Sequence, residues 1–181
     1  MDAKNQAYKQ SGEEDPGQAA PKGRLDSSAA KSDILARRTT GVVTAVAEGE
    51  CFVFGSNEAG RHGRGAAAQA RRFGARYGVG EGPAGRTYAI PTKPADLRQR
   101  LSLDRIGRSV ETFVAYAASH PDCIFLVTEI GCGLAGYEPA DMAPLFAGAV
   151  PLSNVFLPAS FWRVLGHARA DAPLAPRSAL R

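Results

Sequence analysis

Short apolar runs and longer amphipathic stretches alternate along the chain, which predicts strands alternating with helices. The apolar runs are bounded by polar or glycine-rich turns and predict five strands: Gly41–Ala47, Cys51–Phe54, Arg86–Ile90, Cys123–Val127 and Asn154–Leu157. Pro91 is expected to end the third of these strands. The wholly apolar fourth run is typical of a strand covered on both faces.

Helices are expected from Gly65 to about Tyr77, from Leu103 to Ser119 and, briefly, from Pro139. The second is the clearest, because its apolar residues share one face and Ser102 is placed to cap it. The glycine-rich residues 78–85 are expected to form a loop. Alternating strands and helices predict an α/β fold, a three-layer sandwich with a mixed, mostly parallel sheet.

Composition divides the chain into one domain and two tails. Residues 1–38 are poor in large apolar side chains and are expected to be disordered. Residues 39–166 should form the folded domain, followed by a loose C-terminal tail at 167–181. The chain shows no membrane-spanning apolar run and no secretory signal, so we expect a cytoplasmic protein without a membrane partner.

The cysteines and histidines argue against disulfides and metals. Cys51, Cys123 and Cys132 are odd in number and form no CxxC motif, which favours free thiols in a reducing compartment. The three histidines show no ligand spacing, so neither a metal nor a cofactor is expected.

Positive charge is concentrated in one part of the chain. The net charge is +4, and eleven lysines and arginines lie between Arg61 and Arg108, against the acids Glu81, Asp96 and Asp104. A basic field attracts anions such as nucleotide phosphates or a nucleic-acid backbone. The alternative is an ordinary solvated helix face, which suits Arg71, Arg72 and Arg76.

Two glycine-rich loops follow predicted strands. The first contains Gly60, Gly63 and Gly65, a spacing that matches neither the dinucleotide fingerprint nor the Walker A motif. Such a loop leading into a helix favours a phosphate or diphosphate, although glycines used only to shape a turn would look the same. The second loop, Ile130–Gly136, and the Pro91–Lys93 turn should meet it at the carboxyl edge of the sheet.

In this order, Ser56–Asn57 with Gly63–Ala67, Tyr88–Lys93 and Ile130–Leu134 resemble the motifs of the macrodomain superfamily. The resemblance extends from Cys51 to Pro158. Among characterised branches the chain most resembles the one that contains the terminal ADP-ribose protein glycohydrolase, and it is more similar still to small macrodomain-like proteins of phages and bacteria.

The resemblance implies ADP-ribose or an ADP-ribosylated substrate as the partner. Gly131–Leu134 would wrap the diphosphate and distal ribose, and Asn57 would offer its amide to ribose hydroxyls. Lys93 matches the catalytic lysine, which attacks the anomeric carbon of the distal ribose; an exposed loop lysine is the alternative. The ligand-binding residues implied in this way are Ser56, Asn57, Gly63, Gly65, Ala66, Thr92, Gly131, Cys132, Gly133 and Leu134.

The chain departs from the family pattern at two places. Ala135 stands where the glycohydrolase has an aspartate, and the nearby Glu138 and Asp141 begin a helix. The Gly-Asp pair that contacts adenine in macrodomains is missing from the first predicted strand. Cys132 could be a nucleophile or a packing residue, and His62 could contact phosphate or face solvent.

Three functions follow from these observations. The first is a reader or sensor module that binds ADP-ribose or a related nucleotide derivative. The alternative is an ADP-ribosyl glycohydrolase that uses Lys93. A nucleic-acid-binding protein ranks lowest, because no interleaved aromatic residues support it.

Overall fold

Six strands of the described chain form one sheet. The computed structural model describes residues 36–39 and 41–166. In chain order the strands are β1 (Arg38–Thr39), β2 (Glu50–Asn57), β3 (Gly82–Ala84), β4 (Thr87–Lys93), β5 (Ile124–Val127) and β6 (Val155–Pro158). Their spatial order is β1-β6-β5-β2-β4-β3, and only β3 and β4 pair antiparallel. The sheet is mixed and mostly parallel, as predicted.

In the described part of the chain, three helices lie between these strands and a fourth follows β6. They are α1 (Gly65–Ala70), α2 (Leu103–Ala118), α3 (Pro139–Met142) and α4 (Ala159–Val164). A 3₁₀ segment, Arg71–Phe73, continues α1, and another, Ala143–Ala149, continues α3. The prediction for α2 is confirmed: the Ser102 hydroxyl accepts a hydrogen bond from the Arg105 amide at 3.4 Å.

Alternate side chains of β2 enter two different cores, which shows that both faces of the sheet are covered. Cys51 and Val53 belong to a core shared with α2, α3 and α4. Phe52 and Phe54 belong to a second core shared with α1. Because successive strand residues point to opposite faces, this division confirms three layers, helix, sheet and helix.

The strand predicted at Gly41–Ala47 is wrong. This segment forms no ladder; it lies over the second core with Val43 and Val46 buried and Val42 exposed. Side chains satisfy its carbonyls in place of a neighbouring strand. Gln69 donates to the Val43 carbonyl, and Arg86 donates to the Val46 carbonyl at 2.6 Å.

The prediction that Pro91 ends a strand is also wrong, because β4 continues through it to Lys93. The register against β2 shifts here, from Ser56 opposite Pro91 to Asn57 opposite Lys93. β3 pairs only with Thr87–Ala89, so Pro91 lies where β4 is an edge, a position that tolerates proline.

Other boundaries also differ from prediction, and β2 extends three residues beyond its predicted end at Phe54, to Asn57. The expected loop at residues 78–85 contains β3, a three-residue edge strand with an exposed proline, Pro83. The first helix is shorter than expected, because α1 and its 3₁₀ segment end at Gly74, whose φ of 105° reverses the chain.

The residues before the expected domain boundary join the sheet. Arg38 pairs with Leu157 of β6, and the Arg37 side chain, 4% exposed, donates to the carbonyls of Leu152 and Val150. Trp162 in α4 donates its indole N–H to the Arg37 carbonyl at 2.7 Å. The rest of the N-terminal tail expected at residues 1–38, namely residues 1–35, and the tail expected at 167–181 lie outside the described residues.

The Arg37 contacts predict where the chain can be shortened. A chain beginning at Ala36 should melt within a few degrees of the full chain, because residues 1–35 are poor in large apolar side chains. A chain beginning at Thr39 should lose about 2 kcal/mol or more, since it removes charged donors and leaves the indole N–H unpaired. Calorimetric melting of both would test this. Equal melting temperatures for the two truncations would contradict it.

Candidate functional site

A cavity of about 710 Å³ lies at the carboxyl ends of β2, β4 and β5. It has the size and position typical of ligand sites in mostly parallel sheets. Its walls come from the first glycine-rich loop, the end of β4 and the second glycine-rich loop. The lining residues are Gly55, Ser56, Asn57, Arg61, Gly63, Arg64, Gly65, Ala66, Ala67, Thr92, Lys93, Leu97, Glu129, Ile130, Gly131, Gly133, Leu134 and Ala135.

All but one of the site residues named from the sequence lie on this wall; the exception is Cys132. The Cys132 thiol points back to the Ile130 carbonyl, with sulfur and oxygen 3.7 Å apart. Burial raises the pKa of this thiol to about 11, and Glu129, Glu138 and Asp141 contribute to the rise. A thiol that stays protonated is a weak nucleophile, so the geometry favours packing for Cys132.

The first loop is held by side chains beneath it. The Asn57 amide binds the Arg61 main chain twice: Nδ2 donates to the carbonyl at 2.8 Å, and Oδ1 accepts from the N–H at 3.0 Å. The amide expected to contact ribose is thus engaged mainly in fixing the loop. Gly60, with φ of 62°, lies against backbone at Val79, and a Cβ there would come within 2.4 Å of that amide nitrogen.

His62 lies inside this loop. It is 3% exposed, with its ring against the Phe54 ring and Nε2 3.1 Å from the Ser56 hydroxyl. Neither expectation for His62, a phosphate contact or a solvent-facing ring, fits this position. Burial lowers the pKa of the imidazole, and the positive charge of Arg71 lowers it further.

The second loop rests on α3. Gly131 has φ of 81°, and a Cβ there would lie 2.7 Å from the Met142 sulfur. Turns close the loop, from the Tyr137 N–H to the Gly131 carbonyl at 3.0 Å and from the Gly136 N–H to the Gly133 carbonyl at 2.9 Å.

Three residues of this loop that line the cavity have main-chain N–H groups with no acceptor in the described part of the protein. Within residues 36–39 and 41–166, the N–H groups of Gly133, Leu134 and Ala135 donate to no protein acceptor. Successive main-chain N–H groups without a protein acceptor are the kind of donors from which anion sites are built.

The cavity wall is positively charged overall. Arg61 and Arg64 are exposed on the first loop, and Lys93 is half-buried at the end of β4. Glu129 is the one carboxylate on the wall among the described residues. The nearby Glu58 lies outside the wall and pairs with Arg105.

Ala135 stands where the glycohydrolase has an aspartate, and the structure shows whether a neighbouring acid reaches the cavity in its place. Ala135 lines the cavity, whereas Glu138 and Asp141 do not. The Asp141 carboxylate instead accepts a hydrogen bond from the Glu138 N–H at 3.1 Å, which caps α3. The sequence analysis did not identify Glu129 as a site residue. Its position between a buried strand and a glycine-rich loop could have indicated it.

Leu97 is a second lining residue that the sequence did not reveal. Its φ of 65° is left-handed, which is rare for a branched apolar side chain. Backbone strain of this kind tends to occur at functional sites, and Leu97 lies on the cavity wall.

No family model, curated protein or solved structure matches the chain. In the part of the chain that the structure describes, no group of three or more His, Cys, Asp or Glu residues could hold a metal. No helix of residues 36–39 and 41–166 is long and apolar enough to cross a membrane.

The buried imidazole predicts how stability depends on pH. Because its pKa in the fold lies below the ordinary value of 6.5, the unfolded chain takes up the proton first as pH falls. The free energy of unfolding should therefore decrease from about pH 6.5 downward. Denaturant melts at several pH values should show a flatter dependence in His62→Gln.

His120→Gln is the matched control, since His120 is exposed and lies two residues beyond the end of α2. It should keep the pH dependence of the unsubstituted protein. If His120→Gln flattened the dependence and His62→Gln did not, the assignment to His62 would be wrong.

Proposed function

We propose that this chain is a macrodomain-like module that binds ADP-ribose or a related nucleotide derivative, as a reader or sensor. The observation that carries the proposal is the convergence of three separate motif segments on one cavity. Residues from 56–67, 92–93 and 131–134 all line it. Because the three segments line the same cavity, together they support a common ligand more strongly than any one motif does alone.

The diphosphate belongs between the two glycine-rich loops. The unused N–H groups of Gly133, Leu134 and Ala135 supply donors, and Arg61 and Arg64 supply positive charge on the opposite wall. Hydrogen bonds from backbone N–H groups to an oxyanion are charge-assisted and therefore strong. A cavity of about 710 Å³ falls within the range that accommodates ligands of this class.

Hydrolysis at Lys93 is the second candidate function. The observation in its favour is that Lys93 lies half-buried on the wall, at the end of β4. Its amine would attack the anomeric carbon of the distal ribose while the bond to the leaving carboxylate breaks. Water would then release the ribose from the lysine. Ala135 offers no acid for the proton transfers, so complete turnover would be slow.

Substitution of Gly133 tests the ligand's position. A Cβ at Gly133 meets no atom within 4 Å, so Gly133→Val should fold normally. Its side chain should block the close approach of a diphosphate and weaken ADP-ribose binding tenfold or more, a loss of at least about 1.4 kcal/mol. Titration calorimetry against ADP-ribose, NAD, AMP and single-stranded DNA would measure this.

Gly41→Val is the matched control, because a Cβ there also meets no atom within 4 Å and Gly41 lies off the cavity. It should leave ADP-ribose affinity unchanged. Unchanged affinity in folded Gly133→Val would refute the placement. Preferential binding of DNA with a steep salt dependence would instead favour a nucleic-acid-binding protein.

Substitutions at Lys93 and Ala135 test the hydrolase candidate. The unsubstituted protein should release ADP-ribose slowly or not at all from an ADP-ribosylated carboxylate. Ala135→Asp should raise the rate, since general acid–base catalysis typically contributes about 10²–10⁴-fold. Lys93→Ala should abolish any turnover. Fast turnover that survives Lys93→Ala would exclude this mechanism and direct attention to Glu129.

A further inference from the structure

The charges around the cavity are segregated along the carboxyl edge of the sheet. Arg61 and Arg64 follow β2, and Lys93 ends β4. Glu129 follows β5 on the other side of β2, next to β6. Cations and the carboxylate thus line different parts of the same cavity.

A hydrogen bond holds Glu129 toward β6. Ser160, in the first turn of α4 directly after β6, donates its hydroxyl to Oε1 at 2.6 Å. Neighbouring strands lie about 4.8 Å apart, so β6 and β4 are separated by about 14 Å. The carboxylate is therefore held on the β6 side of β5, away from the strand that carries Lys93.

This position leaves Glu129 able to bind a ligand. Its side chain is exposed, and Ser160 engages only Oε1, so Oε2 can accept further hydrogen bonds. A carboxylate accepts hydrogen bonds and does not donate them. It repels phosphates and attracts N–H and O–H groups, so the two ends of the cavity suit two different ends of a ligand.

We infer that Glu129, positioned by Ser160, is a specificity-determining residue that accepts a hydrogen bond from the amino group of the ligand's base. The inference rests on the proposed nucleotide binding and adds an orientation to it. The diphosphate lies at the arginine side, and the base lies at the β5–β6 side. Bases bearing an exocyclic amino group should bind better than bases with a carbonyl in its place, because two acceptors cannot pair and a buried unpaired group is costly.

A matched pair of ligands tests the inference. In the inosine analogue of ADP-ribose, a carbonyl oxygen replaces the adenine amino group and the neighbouring N1 gains a hydrogen. In titration calorimetry the full chain should bind ADP-ribose at least tenfold more tightly. Glu129→Gln should reduce this preference to within about threefold, because an amide both donates and accepts. Ser160→Ala should reduce it partially, since the carboxylate loses its fixed orientation.

Glu111→Gln is the control, because it removes the same charge from an exposed position on α2. It should keep the preference intact. Equal affinity of the unsubstituted protein for both ligands would overturn the inference and leave nucleotide binding standing. If Glu129→Gln raised the affinity for both ligands equally, the inference would also be overturned. The substitution would then only have relieved repulsion of the phosphates. Failure to bind either ligand would reject the proposed function together with the inference.

Discussion

The burial of β2 on both faces is the constraint on which the rest of the structure depends. Its successive side chains must fill two cores, and the strand pairs with β4 on one side and β5 on the other. Such a strand cannot slip by one residue without exchanging the contents of the two cores. The register of β2 therefore fixes the positions of Ser56 and Asn57 at the carboxyl edge of the sheet, where both line the cavity.

Both cavity loops are shaped by close contacts behind them. Gly60 lies against the backbone at Gly78 and Val79, and Gly131 lies against Met142. A side chain at position 60 would collide with backbone, and one at position 131 would force the Met142 side chain to shift. The Asn57 amide adds two hydrogen bonds to the first loop. A site supported in this way meets its ligand with little reorganisation, which lowers the entropic cost of binding.

Periodic patterns made much of the fold predictable. The apolar stripe of α2 and the wholly apolar β5 are strong local signals, and both elements lie within one residue of their predicted bounds. The short β1 and β3 give no such signal, because two or three residues cannot display a period. Gly41–Ala47 has a strand's composition, but it packs on the core through Val43 and Val46 without joining the ladder.

The candidate site was predictable where it is built from glycines or strand ends. It was less predictable where side chains distant in sequence interact. The partners of Asn57 and His62 are only four and six residues away in sequence, yet the roles of both side chains depend on burial, which only packing decides. The carboxylate of Glu129 is oriented by a hydrogen bond from Ser160. This residue is distant in sequence and lies adjacent only because β5 and β6 pair. Such relations follow from topology and cannot be obtained from local composition.

The docking of Arg37 against α4 has a spectroscopic consequence. Trp162 is the chain's single tryptophan, fully buried, with the Arg37 guanidinium 5.3 Å from its ring and the Arg37 carbonyl as its acceptor. Its intrinsic fluorescence will therefore report whether the start of the domain is seated on the sheet. Because Trp162 does not line the cavity, the same emission should change little when a ligand enters the cavity.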